Sequence, residues 1–234
     1  MRRIIIMALS VVLALSLAMP TALGQVGHGS KASGKAAELA AAWWQWALSE
    51  PVATNPLVGS YTGGPQCDGQ PLSDTSGKKW FLAGAFGSGE VERTCTMPVG
   101  TQLFFPVGNV IYVNTEPTDT EQVARDYVNK FMNDVLADPD FSMVVTVDGK
   151  EVKSKRIVRA ETDLFTVTLP EDNLFSSFGV HAGDYDAVAD GLWAALPPLP
   201  PGEHTIHFEI SAPSLDFSQD ITYHLTVVKP NSGS

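Results

Sequence analysis

The feature that most constrains the fold is a series of short β-prone runs, rich in Val, Ile, Thr, Phe and Tyr and separated by Gly and Pro. Such runs with turn residues between them are typical of β-strands. They occupy residues 80–86, 91–97, 101–113, 142–152, 155–160, 164–170, 204–210 and 221–228. The predicted strands do not alternate with long helical segments, so the sequence does not indicate βαβ units. The sequence therefore predicts a mainly β fold, an antiparallel β-sandwich or jelly-roll.

Two segments have helical rather than strand spacing. Residues 35–50 are rich in helix formers and end at Pro51, and residues 119–137 follow a Thr118-x-x-Glu121 capping box. The apolar stripes are Ala36, Leu39, Trp43, Trp46 and Ala47 in the first segment, and Val123, Tyr127, Phe131 and Val135 in the second. We expect two accessory helices packed against the β-layers.

The N-terminus has the order of a secretory signal. Arg2 and Arg3 precede an apolar run, which is followed by Pro20 and small residues up to Gly24. An uncleaved membrane anchor is the alternative, but the apolar run is shorter than the roughly 20 residues that a spanning helix needs. We expect residues 1–24 to be a signal peptide, with cleavage near Gly24. The mature protein is then secreted or periplasmic and has no stable membrane span.

The remaining chain has the size and composition of one domain. Residues 25–34 are small and polar and are expected to be flexible, residues 35–229 to form one globular β-rich domain, and residues 230–234 to fray. The net charge of −11 becomes −13 when Arg2 and Arg3 are removed, which argues against nucleic acid as a partner. With 44% hydrophobic and 18% charged residues, the chain can bury a core.

Two cysteines, Cys67 and Cys95, lie in the mature part of the chain. An even number of cysteines in an exported protein favours a disulfide, and a loop of this length is worth about 3.5 kcal/mol in the chain-entropy model. Two buried free thiols or a redox pair are the alternatives. The absence of C-x-x-C spacing gives no support to a redox role.

Four sequence blocks suggest a relationship. They are WWQWALSEP (43–51), KKWFLAGAF (78–86), RTCTMPVGTQLFFP (93–106) and DGLWAALPPLPPGEHTIHF (190–208). With these blocks the chain resembles an uncharacterised family of exported bacterial proteins, across most of the mature chain. The resemblance implies export and one intact domain, and it implies no activity.

The last two strands contain a candidate metal site. Alternation places Ile206, Phe208 and Ile210 on one face of the first strand and Tyr223, Leu225 and Val227 on one face of the second. His207, Glu209 and His224 then lie on the opposite faces, and His207 faces His224 if the turn is centred near Leu215 and Asp216. Such a set can bind Zn²⁺ or another divalent ion. The alternative is a set of solvent-facing strand residues, separated by any slip in register.

The segment HAGDYDAVADG is a second candidate. His181, Asp184, Asp186 and Asp190 offer ligand atoms at close spacing, although not in the EF-hand pattern of calcium sites. Paired carboxylates could alternatively perform acid and base catalysis if one were desolvated. A hydrated acidic loop is the simpler interpretation.

The tryptophans are a third candidate. Trp43 and Trp46 share a helical stripe, but Trp44 points about 100° away, so one buried face cannot cover all three. An exposed ring there, or Trp193 beside the acidic segment, could stack on a sugar ring or anchor a partner. A tryptophan on a helix of a small domain more often belongs to the core, so burial of these rings is the simpler interpretation.

No G-x-S-x-G, H-E-x-x-H, P-loop or dinucleotide motif is present in the sequence. The sequence therefore favours a non-catalytic binding or envelope-associated domain that requires no cofactor, with a polysaccharide or envelope component as its expected partner. An exported metal-assisted or carboxylate-based hydrolase or lyase, with Zn or Ca as its metal, is the alternative.

Overall fold

The structure is a computed structural model that describes residues 32–67 and 79–229. The predicted signal peptide and the predicted frayed C-terminus lie outside these residues, as does most of the segment expected to be flexible. The described part is a β-sandwich with two helices, which confirms the predicted fold class.

Within residues 32–67 and 79–229, eleven strands form two sheets. The strands are β1 (Tyr61–Thr62), β2 (Lys79–Phe81), β3 (Gly89–Pro98), β4 (Gln102–Val113), β5 (Ser142–Val147), β6 (Lys150–Glu151), β7 (Ile157–Glu161), β8 (Phe165–Leu169), β9 (Gly183–Leu196), β10 (Gly202–Ala212) and β11 (Phe217–Val228). The front sheet has the order β1-β3-β11-β10-β5-β6. The back sheet has the order β2-β4-β9-β7, and β8 also pairs with β9.

Both sheets are mixed rather than purely antiparallel. The pairs β1–β3, β3–β11 and β2–β4 are parallel. The consecutive strands β3 and β4 do not pair with each other, because the chain passes from the front sheet to the back sheet between them. Gly100, with φ of 83°, allows the sharp turn at this crossing.

Helices α1 (Ala32–Ser49) and α2 (Glu121–Ala137) lie close to the predicted positions. Helix α1 begins three residues before the predicted boundary at Lys35. The predicted capping box at Thr118 is wrong, because Thr120 is the N-cap residue and its side chain accepts a hydrogen bond from Val123 N. Neither helix, within residues 32–67 and 79–229, combines the length and the hydropathy needed to cross a membrane.

The helices both pack on the back sheet. Helix α1 covers one face of that sheet through a core cluster that includes Trp43, Phe104 and Trp193. The other face packs against the front sheet, with Phe105 against Phe208, and Met132 of α2 joins this second cluster. Neither helix covers the outer face of the front sheet, so the outward side chains of that sheet remain at least partly exposed in the described part of the chain.

The predicted disulfide is confirmed. Cys67 is bonded to Cys95 on β3, with a Cα–Cα distance of 5.3 Å. Both residues are buried in the core between the sheets. The bridge therefore fastens the segment that follows α1 to β3 of the front sheet.

Candidate functional site

The last two strands have the faces that the sequence predicted. Ile206, Phe208 and Ile210 are buried between the sheets, as are Tyr223, Leu225 and Val227. His207, Glu209 and His224 lie on the outer face of the front sheet and are partly exposed. The strict alternation of β10 and β11 is sufficient to produce this arrangement.

The predicted pairing of His207 with His224 is wrong. His207 lies opposite Thr222, and His224 lies opposite Thr205. The turn between the strands contains Pro213–Leu215, followed by Asp216 with φ of 51°, so it is centred one residue earlier than predicted. When the centre of the turn moves by one residue, each residue of β10 pairs with a residue of β11 two positions away from the predicted one. The side chains therefore stay on the predicted face of the sheet, but they have different cross-strand neighbours.

Each histidine instead reaches diagonally to a carboxylate on the next strand. His207 Nε2 donates to Asp220 Oδ1 at 2.8 Å, and His224 Nε2 donates to Glu92 Oε1 at 2.7 Å. Ligand atoms of His207, Glu209 and Asp220 all lie within 4.8 Å of one another. The sequence analysis did not include Asp220 or Glu92 among the candidate site residues, although each lies an even number of positions from the outward-facing residues of its strand.

The outward positions of β3, β10 and β11 form what we call the acidic face. Its rows across the three strands are Glu90, Asp220 and Glu209; Glu92, Thr222 and His207; Thr94, His224 and Thr205; and Thr96, Thr226 and Glu203. These positions include five carboxylates and no Lys or Arg. Lys150 and Lys153 lie at or just beyond β6, which is an edge strand of the front sheet.

The acidic segment 181–191 does not form a site. Most of it is strand β9 rather than a loop, and Asp184 and Asp186 are exposed and accept hydrogen bonds from Thr168 and Thr166. Asp190 is four residues beyond Asp186, which is about 13 Å along a strand. The predicted grouping of His181, Asp184, Asp186 and Asp190 is therefore wrong.

Asp190 is a buried structural carboxylate. Its side chain is fully buried and forms a bidentate pair with Arg159, whose Nη2 lies 2.6 Å from Asp190 Oδ2. Burial raises the pKa of Asp190, while Arg159 opposes this shift. Arg159 also donates to Asn133 Oδ1, so the pair connects β9 and β7 to α2.

The hypothesis that exposed tryptophan rings form a ligand-stacking surface is also wrong, because these rings belong to the core. Trp43, Trp44, Trp46 and Trp193 are only 0%, 7%, 9% and 0% exposed. Trp43 forms edge contacts with the other three rings, and its Nε1 donates to Leu82 O at 2.9 Å. Stacking on an external sugar ring would require surface that these residues do not have.

Arg93 is a buried residue that the sequence analysis did not single out. Its Nη1 donates to Ala83 O at 2.6 Å and to Tyr223 Oη at 2.8 Å, and its guanidinium lies 4.8 Å from the Tyr61 ring centroid. Burial, assisted by Tyr223, raises the pKa of Tyr61 well above its usual range. The alternation of buried Val91, Cys95 and Met97 on β3 was an available signal for an inward Arg93.

His204 forms a separate pair at the start of β10. Its Nδ1 lies 2.8 Å from Asp148 Oδ2, and Thr205 N donates to the other oxygen of Asp148. The hydrogen bond to Asp148 raises the pKa of His204, and the same bond lowers the pKa of Asp148. The pair fixes the β5–β6 turn against β10.

This pair predicts a pH-dependent contribution to stability. Because folding raises the pKa of His204, the protonated histidine stabilises the fold fully below about pH 6.5, and this stability is lost as the pH rises through the folded pKa. Because folding lowers the pKa of Asp148, its ionised carboxylate stabilises the fold only above about pH 3.9. Asp148→Asn retains an oxygen for Thr205 N and tolerates the positive φ of 51°. We expect it to lower the free energy of unfolding by about 0.5 kcal/mol near pH 5, because Asp148 is half-exposed, and by less near pH 9.

Urea unfolding of the wild type and of Asp148→Asn at both pH values measures this difference. An equal effect of the substitution at the two pH values would exclude a charged pair.

Comparisons with known proteins add little to this geometry. No family model matches the chain, and no curated protein matches it. A chain from "Structure of PbICP-C in complex with falcipain-2" is 9% identical with a TM-score of 0.24, and the match covers 73% of this chain and 100% of that chain. A family 123 glycoside hydrolase from Clostridium perfringens is 11% identical with a TM-score of 0.26; the match covers 62% of this chain and 24% of that one. TM-scores this low do not establish a shared fold or function.

Fold and site together define a disulfide-bonded β-sandwich protein with an acidic sheet face that neither described helix covers.

Proposed function

We propose that the protein is an exported, non-catalytic binding domain that binds a lysine- or arginine-rich segment of an envelope protein through the acidic face. The observation that carries this proposal is the concentration of five carboxylates, without Lys or Arg, on strand positions that neither helix covers. Export itself is a prediction from residues 1–24.

Charge complementarity is the reason for choosing a basic partner. Several carboxylates of one sign on a regular surface produce a potential that attracts cations and accelerates encounter. The net charge of −11 acts in the same direction at longer range. Thr94, Thr222 and Thr226 lie between the carboxylates and supply hydroxyl groups that can both donate and accept hydrogen bonds.

The earlier expectation of a polysaccharide partner has less support than a basic one. Recognition of sugars by stacking needs exposed aromatic rings, and the candidate tryptophans are buried. The outward positions that define the acidic face contain no Phe, Tyr or Trp.

The carboxylate-based form of the hydrolase or lyase alternative also loses its support. Among its candidate carboxylates, Asp190 is occupied by Arg159, and Asp184 and Asp186 are exposed to solvent on β9. An acid–base pair requires two carboxyl groups that share one site, with one of them desolvated. These three do not meet that requirement.

The proposal is tested by matched removal of three negative charges. The test variant is Glu90→Gln/Glu92→Gln/Glu203→Gln on the acidic face. The control variant is Glu38→Gln/Asp163→Asn/Glu171→Gln, which neutralises three exposed acidic residues away from that face. The probe is a fluorescent lysine-rich peptide, and its dissociation constant is measured by fluorescence anisotropy at low ionic strength.

We expect the test variant to bind the peptide roughly tenfold more weakly than the wild type, since three exposed charge contacts are together worth about 1.5 kcal/mol. The control variant has the same net charge and should lose much less. Equal weakening in the two variants would show that net charge alone attracts the peptide, and would count against the acidic face.

A further inference from the structure

We infer that His207, Glu209 and Asp220 form a binding site for Zn²⁺ on the acidic face, independently of any basic partner. His207 and Glu209 project from the same side of β10, and Asp220 lies directly opposite Glu209 on β11. The three residues therefore meet because of strand pairing, and the ligand set is fixed by the sheet rather than by a loop.

The distances are compatible with a single ion. One ligand atom from each residue lies within 4.8 Å of the others. Ligands of a tetrahedral Zn²⁺ at about 2.0–2.2 Å from the metal lie roughly 3.4 Å from one another. All three side chains are only partly buried, so small rotations can close the remaining gap. The ion would replace the hydrogen bond between His207 Nε2 and Asp220 Oδ1.

The donor set favours Zn²⁺ over Ca²⁺. One imidazole nitrogen and two carboxylates are ligands that Zn²⁺ accepts with a remaining position for water. Calcium takes six to eight oxygen ligands, which this site does not supply from its two carboxylates. Glu90, which lies opposite Asp220 on β3, adds negative charge beside the site and raises the local concentration of cations.

His224 is excluded from the ligand set and supplies a matched control. It lies on the same face as His207, is also partly exposed, and is paired with Glu92 on the far side of β11. A surface histidine that binds Zn²⁺ without a built site should behave in the same way at either position. The two histidines therefore distinguish a specific site from a generally acidic surface.

Isothermal titration of the untagged, disulfide-intact protein with Zn²⁺ tests the inference, after removal of metal with a chelator. We expect one Zn²⁺ per chain in the wild type. His207→Ala and Asp220→Asn should each weaken binding by at least about tenfold, and His224→Ala should leave the affinity within about threefold. Circular dichroism of each variant shows whether the fold is retained.

Three results would overturn the inference: no Zn²⁺ binding by the wild type, unchanged binding by His207→Ala, or an equal loss in His224→Ala. The outcome is separable from the proposed function. Peptide binding is measured with a chelator present and depends on Glu90, Glu92 and Glu203, so either result can fail while the other stands.

Discussion

Trp43→Ala is expected to lower the free energy of unfolding by about 4 kcal/mol, because the substitution leaves a large cavity in the core. The Trp43 ring is fully buried and contacts Trp44, Trp46 and Trp193. Its removal also leaves Leu82 O without its indole donor. Urea unfolding, followed by circular dichroism because the fluorescence itself changes, measures the loss.

Trp43→Phe is the control for this prediction. Phenylalanine retains much of the ring volume but cannot donate to Leu82 O, so a smaller loss of roughly 2 kcal/mol is expected. A Trp43→Ala variant as stable as the wild type would contradict the assignment of this ring to the core. It would restore the interpretation of the tryptophans as a ligand platform.

Asp190→Ala is expected to lower the free energy of unfolding by about 3 kcal/mol, because it leaves Arg159 without its buried partner. This is near the lower end of the usual range for a broken buried pair, since the Arg159 side chain is 22% exposed and can recover some hydration. Gly191 N also loses its acceptor, Asp190 Oδ1. Equilibrium unfolding in urea measures the effect.

Asp186→Ala, on the same strand, is the matched control. Asp186 is exposed and accepts only a long hydrogen bond from Thr166, so its removal should change stability by less than about 0.5 kcal/mol. If the two substitutions had the same effect, Asp190 would not be the structural carboxylate that its pairing with Arg159 indicates.

The local features of the fold were predictable because they depend on short-range periodicity. Alternation in β10 and β11 determined which side chains face the core, and helical spacing with Pro51 and Pro139 located both helices. Strand order was not predictable in the same way. The parallel pairing of β3 with β11 joins residues more than a hundred positions apart, and no local pattern specifies such a partner.

The candidate site was predictable in part for the same reason. His207 and Glu209 were placed on one face by the period of the strand, but their neighbour Asp220 depends on the exact centre of the turn at Pro213–Leu215. Glu92 comes from a distant strand and could not be found from spacing. A local pattern therefore identifies the face of a sheet more readily than the contacts across it.

The errors at the tryptophans and at Asp190 have a different origin. The hypothesis of a tryptophan platform assumed that α1 buries a single stripe, whereas Trp43, Trp44 and Trp46 are all buried in one cluster with residues of the back sheet, as the simpler interpretation expected. For Asp190, the buried neighbours Val188 and Leu192 show that its strand position faces inward. Residues 187–194 of β9 are buried on both faces, so no alternation of polar and apolar residues marked the strand, and the acidic composition suggested a loop.

The most direct test of the acidic face as a binding surface is to map the backbone amide shifts of isotopically labelled protein during titration with the lysine-rich peptide. We expect the largest changes on β3, β10 and β11, at residues such as Glu92, His207 and Thr222. Changes concentrated on α1 or on the back sheet, or no changes at all, would contradict this expectation.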